Sequence, residues 1–156
     1  MSVFNGLESY KINHLAWCGG FFDADGCVTI LRQPYKKRSG EKMISHRLRV
    51  NIVQNSYDVL EHFLNVCGCH GKIFKFKRTI ETNRQCYQLN FDGAHAYEVL
   101  MKMYPFLIRK KAEAEAVSRF WSEGGMEERR RTGRKPVAPE IFDLREKWCK
   151  KLQRMK

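Results

Sequence analysis

No apolar run in the sequence approaches the roughly 18 residues that a membrane-spanning helix requires, so no membrane partner is expected. The opening MSVFNGLESYK is short and polar. It lacks the charged and apolar regions of a secretory signal, which makes an intracellular, unsecreted location the expectation. Acidic residues are scarce: 17 Asp and Glu stand against 29 Lys and Arg, a formal net charge of +12. A domain this basic commonly meets a polyanion, with a ribosomal or membrane-surface role as the competing meaning of the charge. Six cysteines are present, but CGCH (Cys67, Cys69, His70) has no second ligand pair downstream. Structural zinc sites use paired Cys-x2-4-Cys spacings, so reduced, mostly buried thiols are expected instead. The two halves of the chain that follow the first helix do not repeat each other.

What is present suits one soluble domain: 156 residues, 43% hydrophobic and 29% charged. Asn13 is the expected N-cap of a first helix that ends at Gly26. CVTILRQ (27–33) reads as a strand, followed by the basic loop PYKKRSGEK. SHRLRVNIVQ (45–54) is a second strand, with Leu48, Val50 and Ile52 alternating against Arg47, Arg49 and Asn51. SYDVLEHFLNVCG is a helix ended by Gly68. KIFKFKR and NRQCYQLNF form a hairpin around TIET. A third helix stops at Pro105. FLIRKKAEAEAVSRFW is a fourth, and a last helix runs from about Pro139. This order predicts an α+β fold with an antiparallel sheet rather than a doubly wound one. The expected organisation is an arm over 1–12, a core over 13–122, a basic linker over 123–138 and a C-terminal helix over 139–156.

The chemistry is concentrated in HLAWCGGFFDADGCVTI (14–30). Two successive glycines inside a helix each cost about 1 kcal/mol against Ala, which suggests that another backbone comes close. A second copy of the helix is an economical neighbour; packing against the domain's own sheet is the simpler one. Asp23 and Asp25 end the helix, where the macrodipole disfavours anions, so a nearby cation is implied. DxDG also opens a calcium loop, but Gly26 and Cys27 stand where further oxygen ligands should follow, which excludes an EF-hand.

LAWCGGFFDADG resembles the LAGLIDADG motif of homing endonucleases. Gly20-Phe21-Phe22-Asp23-Ala24-Asp25-Gly26 carry the match, while Cys18-Gly19 replace the usual Leu-Ala. The element order from Asn13 to Trp121 fits as well. The resemblance implies an αββαββα fold with a saddle-shaped antiparallel sheet plus trailing helices. A single motif implies a homodimer, joined through the Gly19/Gly20 helices, with two Asp25 carboxylates meeting above the DNA. The implied activity is a site-specific double-strand break in a long pseudo-palindromic target, with 3′ overhangs, in intron homing. The cofactor would be Mg2+, with Mn2+ or a non-catalytic Ca2+ in its place, held by Asp25 and the backbone carbonyl of Ala24. Gln54 falls where the family places a water-organising polar residue. Lys110 falls at the basic position near the scissile phosphate, with Arg109 and Lys111 as adjacent alternatives. Asp23 would support the helix end.

The same resemblance makes double-stranded DNA the partner and the sheet its reader. The implied DNA-facing residues are Thr29, Leu31 and Gln33, then Ser45, Arg47, Arg49 and Asn51. Arg84, Cys86 and Gln88 join them from the fourth strand. Lys75 and Lys77 join if Phe74 and Phe76 point inward. Lys36, Lys37, Arg38 and the run Arg129-Arg130-Arg131 would meet phosphates. The protein would sit with its DNA in cytoplasm, nucleoid or organelle matrix. Two competing readings stand beside this one: an intron-RNA-binding maturase or non-cleaving DNA-binding regulator, and a structural basic protein. The last explains neither the double glycine nor DADG.

Overall fold

A computed structural model describes residues 3–77, 84–128 and 136–156, with side chains from Glu8 onward. Its elements in chain order are α1 (Val3–Asp25), β1 (Gly26–Lys36), β2 (Lys42–Gln54), α2 (Tyr57–Cys67), β3 (Lys72–Lys75), β4 (Tyr87–Asp92) and α3 (Ala94–Met103). A single 3-10 turn, Tyr104–Phe106, leads into α4 (Lys111–Glu123), and α5 (Pro139–Arg154) closes the chain. The four strands form one antiparallel sheet in the order β1-β2-β4-β3.

Strand alternation divides the sheet into two faces. Val28 and Ile30, Leu48, Val50 and Ile52, and Leu89 and Phe91 are buried on one face. There they meet Leu60 and Phe63 of α2, Val99 and Leu100 of α3, and Phe22 of α1 in one core. The opposite face carries no helix among the described residues and presents the alternate side chains outward. α5 lies along the edge strand β1, with Trp148, Cys149 and Leu152 buried beneath it. The Cys149 thiol donates to the Ile30 carbonyl at 3.4 Å. Nearby, one Glu146 carboxylate oxygen accepts from Arg32 Nε at 2.8 Å and from His46 Nε2 at 2.6 Å.

Three elements differ from the sequence expectation. α1 begins at Val3, so Asn13 lies inside the helix and does not cap it, and residues 3–12 are helical rather than an arm. No proline or glycine breaker separates the two parts, apart from Gly6, and an isolated glycine is tolerated in a helix. α4 begins at Lys111 because Pro105 tightens the preceding residues into a 3-10 turn and Leu107–Lys110 are fastened to α1. β3 covers Lys72–Lys75 alone, although Phe76 N still donates to Cys86 O at 3.0 Å. The hairpin tip TIET and the run Arg129-Arg130-Arg131 lie outside the described residues.

Candidate active site and nucleic-acid interface

α1 passes directly into β1 at Gly26, and the antiparallel pairing of β1 with β2 sets Gly26 opposite Ile52. Gln54, two residues further along β2, therefore arrives beside the end of α1. Its side-chain amide Nε2 donates to Asp25 Oδ2 at 2.7 Å. Asp25 and Gln54, 29 residues apart in sequence, thus meet at one exposed point. The Asp25 carboxylate and the backbone carbonyl of the neighbouring Ala24, both residues exposed, supply hard oxygen donors at this helix end. Such a set fits Mg2+, Mn2+ or Ca2+, and Mg2+ in particular takes few protein ligands and keeps several waters. Among the described residues no group of three or more His, Cys, Asp or Glu gathers to hold a metal within one chain.

Asp23 has a different task. Its Oδ1 accepts the backbone N–H of Lys110 at 2.7 Å and its Oδ2 that of Arg109 at 2.8 Å. The Asp23 carboxylate thereby caps the segment entering α4 rather than its own helix. Burial pushes its pKa up, but the backbone N–H groups of Arg109, Lys110 and Ile108 and the Lys110 charge outweigh this and hold it below the ordinary value. The same junction buries Lys110 to 6% exposure and directs its ammonium to the Asp23 carbonyl, Nζ to O 2.8 Å. A cation here meets the negative end of α1. Arg109 and Lys111 are exposed, and Lys111 Nζ sits over the Tyr104 ring at 5.4 Å. Lys110 is therefore the basic residue of this trio that is tied to the motif helix.

The two glycines separate cleanly. A Cβ on Gly19 would stand 2.6 Å from the Phe106 Cβ, so Gly19 is small because the 3-10 turn of its own chain presses on it. This corrects its expected place at a dimer interface. Gly20 is exposed, with nothing within 4 Å of such a Cβ.

On the outward sheet face the pairings Thr29↔Arg49, Leu31↔Arg47, Gln33↔Ser45 and Cys27↔Asn51 bring together seven of the predicted reading residues. Gln88 joins them opposite Val53. Several are already engaged. Arg49 grips Asp92 through Nε at 2.7 Å and Nη2 at 3.0 Å. The Asp92 hydrogen bond holds the Arg49 guanidinium above its ordinary value despite partial burial. Arg47 Nη2 stands 3.6 Å from the same carboxylate, and Gln88 Nε2 donates to Asn90 Oδ1 at 2.7 Å. Lys156 Nζ reaches Thr29 Oγ1 at 2.9 Å. The loop carrying Lys36, Lys37 and Arg38 turns between β1 and β2, where Lys37 pairs with Glu41 at 2.8 Å. Arg84 and Cys86 precede β4, and Arg84 is exposed.

Lys75 is corrected. Ile73 fills the core side of β3, so Phe74 points outward, paired with Gln88, and Lys75 pairs with the inward Tyr87. Lys77 lies two residues beyond the end of β3 and is exposed. Sequence reasoning missed Lys72, Asn90, Asp92 and Phe74 on that face. The period-two alternation running on from Gln88 would have found Asn90 and Asp92.

A profile described as LAGLIDADG endonuclease matches residues 18–114. Among solved structures, the homing endonuclease I-CvuI in complex with its target is 21% identical, with 92% of this chain and 97% of that chain aligned at a TM-score of 0.57. The archaeal intron-encoded homing endonuclease I-Vdi141I, complexed with DNA, is 17% identical, with coverages of 96% and 86% and a TM-score of 0.66. The meganuclease I-SmaMI bound to uncleavable DNA is 15% identical, with 87% of this chain aligned to 43% of that one at a TM-score of 0.65. No curated protein matches the sequence. The matched profile spans more than half of the sequence and includes the whole DADG end of α1, and the fold is shared along nearly the full length: the chain belongs to the LAGLIDADG endonuclease family.

Proposed function

We propose that this chain is a homodimeric, metal-dependent DNA endonuclease that breaks both strands of a long pseudo-palindromic site, leaving 3′ overhangs, in intron homing. The observation that carries this is the contact of Gln54 with Asp25 at the end of α1, where Lys110 is bound to the Asp23 carbonyl, at the margin of the outward sheet face. Asp25, with the Ala24 carbonyl, would hold the ion; Mg2+ would be the working ion, with Mn2+ an alternative. When bound, such an ion supplies Lewis-acid stabilisation of phosphoryl oxygens and lowers the pKa of water. Gln54 fixes the Asp25 carboxylate through one oxygen, leaving the other outside that hydrogen bond. The Lys110 ammonium offsets the negative helix end, where a second anion, the scissile phosphate, must approach.

Dimerisation is supported by the sparse donor set and by the exposed face of α1. Ile12, Ala16, Gly20 and Ala24 recur at four-residue steps on one helix face. Ile108, 87% exposed, stands in the segment that Asp23 fastens to the same end. Two copies of this face would bring two Asp25 carboxylates together, a pairing that requires cations between them. The relative lengths agree: the chain aligns with 97% of I-CvuI but with 43% of I-SmaMI. I-CvuI has been seen on DNA with Ca and, on the I-CreI target, with Mg.

The test is cleavage of a randomised duplex library by wild type and Asp25→Asn in Mg2+ and in Ca2+, with the cut ends sequenced. Recessed 5′ ends around one pseudo-palindrome, in Mg2+ and with wild type alone, are expected. Duplex binding without any cut ends would overturn cleavage in favour of a DNA-binding regulator. Intron RNA binding that survives Asp25→Asn, without duplex binding, would indicate a maturase.

A further inference from the structure

The outward face of the sheet is not polar throughout. Phe74 is 50% exposed, Phe76 44% and Val53 40%. The register sets Val53 and Phe74 on either side of Gln88 across three neighbouring strands. Phe76 follows Phe74 at the next outward position, its N–H bonded to Cys86 O. The core does not need these rings, because Ile73 already fills the inward position of β3. An exposed apolar block of this kind marks a contact surface. Its surroundings name the occupant: Arg47, Arg49, Asn51 and Lys72 share the face, in a chain of net charge +12.

We infer that Phe74, Val53 and Phe76 select thymine in the target by packing against its C5-methyl group. This inference rests on the proposed DNA reading and adds the base preference of one part of the site. In the major groove the thymine methyl is the one apolar feature a base edge presents. A phenyl ring laid against guanine O6 and N7 or the cytosine amine would strip water from them and return no hydrogen bond. The block therefore favours A·T pairs with the methyl facing the protein and penalises G·C. Adjacent strands stand about 4.8 Å apart, so the Val53–Phe74 span of two strand spacings covers about three base pairs at 3.4 Å each. Val53 adjoins Gln54, which touches Asp25, so these pairs lie on the side of each half-site nearer the cleaved bonds.

The experiment is a binding selection from a randomised duplex library in Ca2+, followed by titration of the selected duplex with thymine replaced by deoxyuridine at single positions. That replacement removes one methyl and nothing else. Thymine is expected to be enriched at two symmetric clusters flanking the centre. Each missing methyl there should weaken wild-type binding about fourfold, the worth of one buried methyl-sized group. Phe74→Ala should bind the thymine and deoxyuridine duplexes equally at one position per half-site. Val53→Ser, at a second exposed position, should do so at a neighbouring one. Site-specific binding by wild type without thymine–deoxyuridine discrimination at these positions overturns the methyl reading and leaves the endonuclease reading standing. Discrimination that persists in both variants also overturns it. Absence of any duplex binding removes both.

Discussion

At the scale of single residues, neighbouring positions with the same identity carry opposite constraints. Gly19 has the Phe106 Cβ where its own Cβ would be, whereas Gly20 faces open space. Gly19→Leu should therefore damage the fold, at about 1–3 kcal/mol for overpacking with backbone adjustment, and lower the melting temperature of the isolated chain. Gly20→Leu should leave the chain folded and shift it from dimer to monomer by light scattering. Equal effects of the two in both measurements would refute the assignment of their roles. The aspartates divide in the same way, with Asp25 beside Gln54 and Asp23 capping the entry to α4. Because Asp23 is held below its ordinary pKa, the folded chain keeps it charged to lower pH than the unfolded chain does. Its contribution is complete above the ordinary carboxylate value of about 3.9 and is lost as pH falls through the depressed folded value. Asp23→Asn removes one charge-assisted acceptor, should cost about 1–3 kcal/mol at pH 7, and should flatten that part of the acid unfolding curve. An unchanged acid transition by circular dichroism would count against the cap.

At the scale of elements, α5 is fastened to the sheet by polar atoms as well as by Trp148 and Leu152. Burial holds His46 below its ordinary pKa, even though Glu146 pulls the other way and Arg145 and Arg32 add to the depression. The folded chain thus favours neutral His46, and the unfolded chain takes up the proton first as pH falls. Stability from this group is full above about 6.5 and declines below it. Wild type should lose more melting temperature between pH 8 and 5.5 than His46→Gln does; parallel losses would remove His46 as the cause. Glu146, a neighbour of this histidine, was not legible in the sequence, because nothing local pairs positions 46 and 146. The strands were legible, since β-branched residues alternating with polar ones in 45–54 leave one face for the core. KIFKFK was not, because alternating Lys and Phe fit either face until Ile73 takes the inward position. The motif gave the end of α1, and pairing of β1 with β2 explains why Gln54 lands there. The start of α1 was misread because Asn13 suits a cap and equally suits an exposed position within a helix.

At the scale of the whole molecule, the governing quantity is charge. Each copy carries +12, and the basic loop at Lys36, Lys37 and Arg38 lies at the far end of the β1–β2 hairpin from Asp25. The Lys37–Glu41 pair is at the surface and weak, so it yields readily to a phosphate. Binding to phosphates acts through counterion release, with a slope of log affinity against log salt of about −0.9 per phosphate neutralised. On the proposed function, a dimer engaging about six to ten phosphates should weaken by about 10^3 to 10^5 in affinity between 50 and 200 mM salt. Replacing Lys36, Lys37 and Arg38 with Gln should make the slope shallower by about 1 for each phosphate no longer neutralised, and should weaken every sequence alike. Arg47→Ala should instead relax the preference at particular base pairs. Its guanidinium stands on the outward face, 3.6 Å from the Asp92 carboxylate, where the proposed function sets the base edges. Titration of selected and scrambled duplexes at four salt concentrations separates the two effects. If the loop variant changes sequence preference while its salt slope stays that of wild type, the loop reads bases and the division of labour between hairpin tip and sheet is wrong.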